Sequence, residues 1–279
     1  MLRATEGIVL TSVPYGEADS IVTFFTSEYG LLKVFAKSPR KTKSRFGSAL
    51  EPLTHDRIAF WGKENTALPR LTQADIIYPH QRLREEFVCY LKVSELVEMT
   101  IGLLPEMEPH GELFSILLKA LKQLETDRLS YRRYLFYKVK LLSLSGFLPR
   151  LSGCARCGKS GSSFYFQDGS IICDGCLGSK GFTYRVELSL GAISVFERIR
   201  LWQWDMLDRL VPSQRLVDEL ERMLNLHIRY TIDKDIKTNT FITATRCGRG
   251  GGRREERREE ERRGGSASPQ TPPQGDSSP

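Results

Sequence analysis

The sequence predicts an α+β protein of several domains, with a five-stranded antiparallel barrel at the N-terminus and a C-terminal helical bundle that carries an inserted four-cysteine ribbon. Three observations predict this class. Short runs of β-branched and aromatic residues fill residues 1–80, apolar residues recur at helical spacing within residues 81–245, and two close cysteine pairs lie within residues 150–180. We expect a barrel domain, a helical domain with an internal metal module, and a tail at residues 246–279.

Five short runs rich in β-branched and aromatic residues predict the strands of the barrel. They span residues 7–13, 20–26, 31–36, 56–61 and 71–77. Turn residues around Gly16 and Gly30 separate the first three runs, and no helical period intervenes. The pattern predicts a small antiparallel barrel, but an SH3-like barrel would produce a similar pattern, so its topology stays open at this point.

The gap between the third and fourth predicted strands carries concentrated positive charge. Its cations are Lys37, Arg40, Lys41, Lys43 and Arg45, and residues 37–45 contain no acid. A cationic loop between barrel strands can follow a phosphate backbone, because phosphate contact needs positive charge and reach rather than a rigid pocket. The alternative is a solvated surface loop whose charges serve solubility.

Aromatic side chains near this loop can supply base stacking. The candidates are Phe46 and Trp61, with Tyr15 and Tyr29 as further possibilities. For each of them a place in the core is favoured over a stacking platform, because a barrel this small needs aromatic filling.

Apolar residues at helical spacing predict three helices between the barrel and the cysteines. They cover residues 82–103, 113–124 and 131–145, and Gly146 with Pro149 ends the third. Three amphipathic helices form a bundle whose apolar stripe is its core. A groove on the surface of this bundle could also accept a partner peptide.

Four cysteines give the most specific signal in the chain. Cys154, Cys157, Cys173 and Cys176 form two Cys-x2-Cys pairs with fifteen residues between them. Four thiolates at this spacing can close a tetrahedral shell around a structural zinc ion. Residues 164–166 and 171–172 read as strand, turn and strand of a small zinc ribbon. Disulfides or unliganded thiols are the alternatives, and a disulfide would need an oxidising compartment.

Two further motifs overlap this region and predict other chemistry. Residues 153–160 formally satisfy the phosphate-loop pattern G-x4-G-K-S, although such a loop should follow a buried strand and open a helix. His110-x-Glu112 with a later Cys-x2-Cys pair is similar to the signature of zinc deaminases, although one cysteine pair would be left over.

After the cysteines, apolar spacing predicts helices at residues 188–201 and 213–230, and we expect the metal module to pack on the bundle. Arginines on these helices could extend a basic face, but they are interleaved with acids, which favours a solvated surface; they are Arg198, Arg200, Arg215, Arg222 and Arg229. From Arg246 onward, Gly, Ser, Pro and mixed charges predict a disordered polyampholyte tail.

The overall composition favours a protein of the cytoplasm with an acidic partner. The formal net charge is +7 and the isoelectric point is near 9.1. A basic balance favours nucleic acid but is weak support alone. The N-terminus lacks an apolar stretch of signal-peptide length, and no run approaches the length of a membrane span. We interpret Cys89 and Cys247 as not ligating a metal.

Several short motifs follow one another in order along residues 1–245. They are Tyr15-Gly16-Glu17-x-Asp19, Thr26-x3-Gly30, Lys37 with Arg40-Lys41 and Lys43-Ser44-Arg45-Phe46, Leu50-x-Pro52, Tyr90 with Glu95-Leu96, and Gly146-Phe147-x-Pro149-x-Leu151 before Cys154-x2-Cys157. Together they resemble the bacterial RecO family of recombination and repair mediators. Ser38-Pro39 departs from that family, which usually has Gly and a small residue there, so we expect the loop to leave its strand with another geometry.

The resemblance implies an N-terminal OB-fold, a helical domain and a four-cysteine zinc module. It also implies binding of single- and double-stranded DNA, annealing of complementary strands, and cooperation with RecR and RecF. Contact with single-strand binding protein and assistance to RecA loading belong to the same implication. The tail after Arg246 has no counterpart, so nothing is carried over to it.

The favoured interpretation is a mediator of DNA repair and recombination that is not an enzyme and acts in the cytoplasm at the nucleoid. It would hold DNA without sequence preference through the loop cations, while zinc orders the far end of the helical body. The alternatives are a protein-interaction scaffold whose DNA contact is incidental and a zinc-dependent deaminase.

Overall fold

The computed structural model describes residues 1–62, 68–126, 131–159, 163–167, 169–177 and 186–232. All of them lie within one compact unit that spans residues 1–238. The predictions made for Cys247 and for the tail at residues 246–279 fall outside the described residues.

Five strands close into the predicted N-terminal barrel. They are β1 (Leu2–Tyr15), β2 (Asp19–Thr26), β3 (Gly30–Ala36), β4 (His55–Trp61) and β5 (Arg70–Tyr78). Their order around the barrel is β1-β2-β3-β5-β4, which is the arrangement of an OB-fold.

One seam of the barrel departs from the predicted antiparallel pairing. β3 and β5 run parallel and meet at Phe35 and Arg70, whereas every other pair of neighbours is antiparallel. The reason is geometric, because alternating directions cannot close around an odd number of strands. The predicted barrel is therefore confirmed, and its pairing is antiparallel at every seam except this one.

Inward-pointing side chains of the strands fill the interior of the barrel. Ile58 and Phe60 on β4 are buried in the barrel core, while Arg57 between the strand's inward positions is exposed. On β3, Lys33 is likewise exposed between the buried Leu32 and Val34, whereas residues 22–26 of β2 are all buried because this strand also packs against the helices. The remaining core comes from Val9, Val22, Phe24, Leu32, Val34, Ala36, Phe46, Leu50 and Leu71.

The helical body completes the wall of the barrel beside β3. The backbone N–H of Met107 donates to the carbonyl of Leu31 at 2.9 Å, and Glu106 forms a parallel bridge with Leu31. Gly30 has φ 61°, and a Cβ atom built there would lie 1.8 Å from the carbonyl oxygen of Glu108. Glycine is required at this position because the neighbouring backbone occupies the space of a side chain.

Six helices follow in the described part of the chain. They are α1 (Gln81–Glu85), α2 (Phe87–Leu103), α3 (Gly111–Thr126), α4 (Tyr131–Leu144), α5 (Leu190–Leu201) and α6 (Gln214–Ile232). The single helix predicted for residues 82–103 is divided, because Glu86 has extended dihedral angles of φ −104° and ψ 112°. The other predicted helices agree with the structure to within two residues at each end.

The barrel and the helices share one apolar core. Ile8, Phe25 and Leu31 of the barrel belong to the same buried cluster as the helical residues. The rings of Phe25 and Phe114 meet edge to face with centroids 5.8 Å apart. This packing fixes the barrel on α3 by direct contact.

The cysteines are carried by a small three-stranded sheet that packs on the bundle. Its strands are β6 (Ser163–Gln167), β7 (Ser170–Cys173) and β8 (Val186–Ser189), in the order β7-β6-β8. The predicted hairpin is confirmed by antiparallel pairing of β6 with β7. Residues 188 and 189 belong to β8 rather than to the predicted helix, and the side chain of Ser189 caps α5 by accepting from the Ala192 N–H.

Contacts to α6 confirm that this sheet does not stand apart. The ring of Phe166 packs edge to face on His227 with centroids 5.8 Å apart, and Nε2 of His227 lies 2.6 Å from the carbonyl of Phe147. Burial lowers the pKa of His227, so the imidazole is neutral at pH 7 and can donate to that carbonyl. None of the described helices combines the length and apolar character needed to cross a bilayer.

Candidate functional site

The cationic segment forms an irregular loop between β3 and the short turns that precede β4. Lys37, Arg40, Lys41, Lys43 and Arg45 are all exposed. None of them forms an ion pair with a carboxylate of the described residues. The loop cations are therefore available to an external anion, which a packed or neutralised loop would not allow.

The turn between β1 and β2 anchors the start of this loop. Oδ1 of Asp19 accepts a hydrogen bond from the backbone N–H of Ser38 at 2.7 Å. The carbonyls of Ala18 and Gly16 accept from the backbone N–H and the Nη1 of Arg40 at 3.3 and 3.4 Å, respectively. The first motif of the sequence thus contacts the cationic loop directly.

The end of the loop is anchored on β5. Nη2 of Arg45 donates to the carbonyl of Leu71 at 3.3 Å, and its guanidinium lies 4.8 Å from the centroid of the Phe46 ring. Phe46 is only 4% exposed and belongs to the barrel core. The structure therefore contradicts Phe46 as a stacking platform, because the barrel needs its ring as filling.

The other aromatic candidates divide between surface and core. Trp61 and Tyr15 are 58% and 57% exposed, and Tyr15 meets Phe35 edge to face with centroids 6.1 Å apart. Tyr29 instead packs against Phe60 in the barrel core at 5.4 Å. Trp61 and Tyr15 are thus the candidates whose rings remain accessible.

An arginine that the sequence analysis did not single out lies between Trp61 and Phe35. Arg70 is exposed and pairs in register with Trp61 on one side and with Phe35 on the other. Leu2 continues the row beyond Trp61 and is 64% exposed. Because Arg45 reaches Leu71, the loop adjoins this row of exposed residues. Strand register could have found Arg70, but only after the β3 and β5 pairing was known.

The four cysteines converge at the edge of the small sheet. Their Sγ atoms all lie within 4.8 Å of one another, and those of Cys157 and Cys173 are 3.7 Å apart. Thiolates of a tetrahedral zinc shell lie about 3.8 Å apart when each Zn–S bond is about 2.3 Å. A disulfide would require about 2.05 Å, so the geometry suits a metal ion rather than a bridge.

The local electrostatics of this cluster also suit a cation. A hydrogen bond from the backbone N–H of Cys173 is the largest effect that lowers the pKa of Cys154, while hydrogen bonding to the Cys157 thiol raises the pKa of Cys176. The cluster cannot hold four thiolates without a positive charge between them. A divalent cation supplies that charge and would deprotonate every ligand.

The two overlapping motifs do not assemble the sites that they resemble. The described part of the phosphate-loop pattern, residues 153–159, lies in the turn that holds Cys154 and Cys157, with strand β6 after it instead of a helix. The potential metal group found among the described residues contains the four cysteines alone, without His110 or Glu112. A four-cysteine shell also leaves no open position for a reactive water.

Arginines of the last two helices do not form one free basic face. Arg200 pairs with Glu197, and Arg215 pairs with Glu219 at 3.2 Å. Arg198 lies over the ring of Trp202 at 6.0 Å. These contacts agree with the interpretation of a solvated helix surface.

Comparison with known proteins gives consistent matches along almost the whole chain. Residues 1–80 match the family description "Recombination protein O N terminal", and residues 84–240 match "Recombination protein O C terminal". A protein of Thermodesulfovibrio yellowstonii named "DNA repair protein RecO" is 42% identical over 252 residues, which cover 88% of this chain and 100% of the relative. Proteins of the same name from Koribacter versatilis and Thermoanaerobacter sp. are 35% and 29% identical, covering 57% and 86% of this chain and 65% and 97% of the relatives.

Proposed function

The chain belongs to the RecO family of DNA repair proteins, and we propose that it serves repair by holding DNA through phosphate contacts of the loop cations. The observation that carries this proposal is that all five loop cations are exposed and none pairs with a described carboxylate. Phosphate contact supplies affinity without sequence readout, because every nucleotide presents the same charge.

The row beside the loop can add base stacking to this electrostatic grip. Trp61 and Tyr15 present exposed rings, and the exposed Arg70 pairs in register with Trp61. Stacking on such rings tolerates any base, since every base has a π face. We propose that single strands lie across the loop and this row, and that double strands use the loop cations alone.

Weak contact with several phosphates suits strand annealing. Strands must be held long enough to pair and must remain free to exchange, which a sequence-specific site would prevent. Family membership supports cooperation with RecR and RecF, contact with single-strand binding protein, and assistance to RecA loading at the nucleoid. We propose that the protein does this work as a mediator, without catalysing a reaction of its own.

The four-cysteine group is proposed to hold one structural zinc ion. Cys154, Cys157, Cys173 and Cys176 would be its ligands, and the ion would order a sheet that joins α6 to the turn after α4. Metal analysis of the purified protein tests this, and one zinc per chain is expected. A stoichiometry near zero in protein that is folded and prepared without chelator would contradict it.

Replacement of Arg40, Lys41 and Lys43 by alanine tests the DNA-binding proposal. If five loop cations each neutralise one phosphate, the logarithm of affinity should fall with the logarithm of salt at a slope of about −3.5 for single strands. The triple variant should reduce this slope by about 2 and weaken strand annealing. Fluorescence anisotropy of a labelled oligonucleotide at several salt concentrations measures the slope.

A second triple variant provides a matched control for net charge. Lys119, Arg200 and Arg215 also lose three positive charges on replacement by alanine, but each pairs with a carboxylate within the helical body. Its salt slope should stay close to that of the wild type. Equal slopes for the loop variant and the wild type would move the DNA site elsewhere, and a wild type without DNA affinity at low salt would favour the scaffold alternative.

A further inference from the structure

The loop that carries these cations begins with a backbone conformation that is unusual for a residue other than glycine. Ser38 has φ 54°, in the left-handed region that side chains other than glycine seldom adopt. Such a conformation costs on the order of a few RT and persists only when surrounding contacts determine it. The start of the loop therefore depends on an anchor outside itself.

The anchor comes from the turn between β1 and β2. Oδ1 of Asp19 accepts from the backbone N–H of Ser38 at 2.7 Å, which is the shortest of the three contacts that join this turn to the loop. The other two hold the backbone and guanidinium of Arg40 on the carbonyls of Ala18 and Gly16. An ionised acceptor makes the contact with Ser38 a strong one.

We infer that Asp19 is a positioning residue for DNA binding: its carboxylate fixes Ser38 and so sets the direction in which Arg40 and the following cations leave β3. This inference rests on the proposed function of the loop. Asp19 itself does not contact DNA in this scheme. It restricts the conformations of the free loop, and this lowers the entropy cost of ordering the loop when DNA binds.

The charge of Asp19 makes the inference testable by the sign of an effect. A carboxylate beside a cationic loop repels phosphate, so electrostatics alone predicts tighter DNA binding when the carboxylate is removed. Positioning predicts the opposite result, because the freed loop loses its preferred direction. The direction of the change in DNA affinity therefore shows whether repulsion or positioning is the larger effect of Asp19.

Three single variants separate the explanations. Asp19→Ala removes both the charge and the hydrogen-bond acceptor, whereas Asp19→Asn removes the charge and keeps an amide oxygen that can accept from Ser38. Glu17→Ala removes the same charge from the same turn, and Glu17 is exposed without a hydrogen bond to a described residue in the structure. Each variant is compared with the wild type by anisotropy of a labelled oligothymidine at low and moderate salt.

We expect Asp19→Ala to bind the oligothymidine about three- to tenfold more weakly than the wild type. Glu17→Ala should bind equally well or up to about twofold more tightly, since it only removes a repulsive charge that salt screens. Asp19→Asn should remain at or slightly above wild-type affinity. Rescue by asparagine distinguishes a lost hydrogen bond from a lost charge, and unchanged circular dichroism excludes a merely unfolded variant.

Tighter binding by Asp19→Ala, or equal weakening by Asp19→Asn and Glu17→Ala, would overturn the inference. If Asp19→Ala does not fold, hydrogen exchange of the Ser38 amide in the wild type decides instead. Protection of that amide supports the anchor, and exchange at the rate of an unprotected amide overturns it.

Failure of this inference differs from failure of the proposed function. If the triple loop variant keeps the wild-type salt slope, the loop is not the DNA site. If the triple variant loses slope while Asp19→Ala keeps wild-type affinity, the loop binds DNA but does not need Asp19 for its direction.

Discussion

Charged side chains of the helical body form ion pairs inside the fold, whereas Asp56 of the barrel interior and the loop cations lack an oppositely charged partner among the described residues. Lys138 and Glu95 form an ion pair at 2.6 Å in the helical core, with exposed fractions of 1% and 3%. In the barrel, Asp56 is fully buried, and neither of its carboxylate oxygens has a hydrogen-bond partner among the described residues. The five loop cations likewise lack a carboxylate partner among the described residues.

This difference separates charges that support the structure from charges that are free for binding. A buried pair holds two helices in one arrangement, and an exposed unpaired cation contributes little to folding but can meet a phosphate. Net charge alone does not reveal this, because Lys and Arg occur in both regions. The following substitutions test the division, beginning with the largest expected effect.

Lys138→Ala should destabilise the protein without changing its DNA affinity. The substitution leaves the Glu95 carboxylate buried and unpaired, which costs about 3–5 kcal/mol. Lys138 also donates to Oδ1 of Asn225 at 3.3 Å, so a second contact is lost. Denaturant unfolding measures the free energy of unfolding, and anisotropy measures DNA binding at a temperature where the variant is folded.

Lys119→Ala is the matched control for this substitution. Lys119 pairs with Asp205 at the surface, where the two side chains are 45% and 71% exposed, so the loss should be about 0–1 kcal/mol. A similar small loss for Lys138→Ala would contradict the structural role of the buried pair. A weaker salt dependence of DNA affinity in either variant would show that cations of the helical body also contact DNA.

Asp56→Asn should remove a pH dependence of stability that originates in the barrel. Burial, with a smaller effect of the Asp75 carboxylate, raises the pKa of Asp56 to about 8. Between pH 4 and about pH 8 the unfolded chain ionises this carboxyl while the folded chain keeps it protonated. The free energy of unfolding therefore falls with rising pH by up to about 1.4 kcal/mol per pH unit from this residue.

The difference between wild type and Asp56→Asn isolates this effect from the titration of other groups. Burial lowers the pKa of His80 to about 4, so this residue contributes a pH dependence of the opposite sign in both proteins. The variant should gain stability relative to the wild type as the pH rises from 5 to 8. A difference that stays constant over this range would show that Asp56 is ionised in the folded state.

Ser38→Gly should have the smallest effect, a gain of about 0.5 kcal/mol. Glycine removes the cost of the left-handed conformation, but it also increases the entropy of the unfolded chain, which offsets part of the gain. The converse control is Gly16→Ala, because Gly16 has φ 61° and open space around a new Cβ. It should lose about 1 kcal/mol. A loss of stability in Ser38→Gly would show that residue 38 does not adopt the left-handed conformation.

The strands of the barrel could be predicted because each carries its own signal. Alternating apolar residues bounded by turn residues set the five strands to within a few residues. The parallel seam at Phe35 and Arg70 could not be predicted from those signals, since a strand's pattern says which face is buried and not which strand lies beside it. Arg70 acquires its place in the exposed row only through that seam.

The grouping of the four cysteines was predictable for a chemical reason. Ligand type and spacing specify a tetrahedral site almost without reference to the rest of the chain. The need of a small barrel for aromatic filling already favoured the core for Phe46, but its polar segment carries no strand pattern that would place the ring there. The break at Glu86 was missed because helical spacing of apolar residues continues across it, and Leu188 fits a strand as well as a helix.

The role inferred for Asp19 depends on a tertiary contact that the sequence could not predict. Its motif was visible in the sequence, but its acceptor atom meets the amide of Ser38, nineteen residues away. Similarly, Thr26 donates to the carbonyl of Gly30 and accepts from the N–H of Tyr29, both at 3.0 Å, which explains the spacing of that motif. Tertiary contacts gave these short motifs a physical meaning that their spacing alone does not carry.

The loop between α2 and α3 has a consequence for how the chain can be divided. It supplies the neighbour of Leu31 and fills the space that Gly30 leaves open, so a chain cut at residue 80 would lack part of its own wall. Phe25 and Leu31 would then face water instead of the helices. A barrel expressed alone would thus expose unpaired backbone groups of β3 together with an apolar surface. This combination promotes self-association.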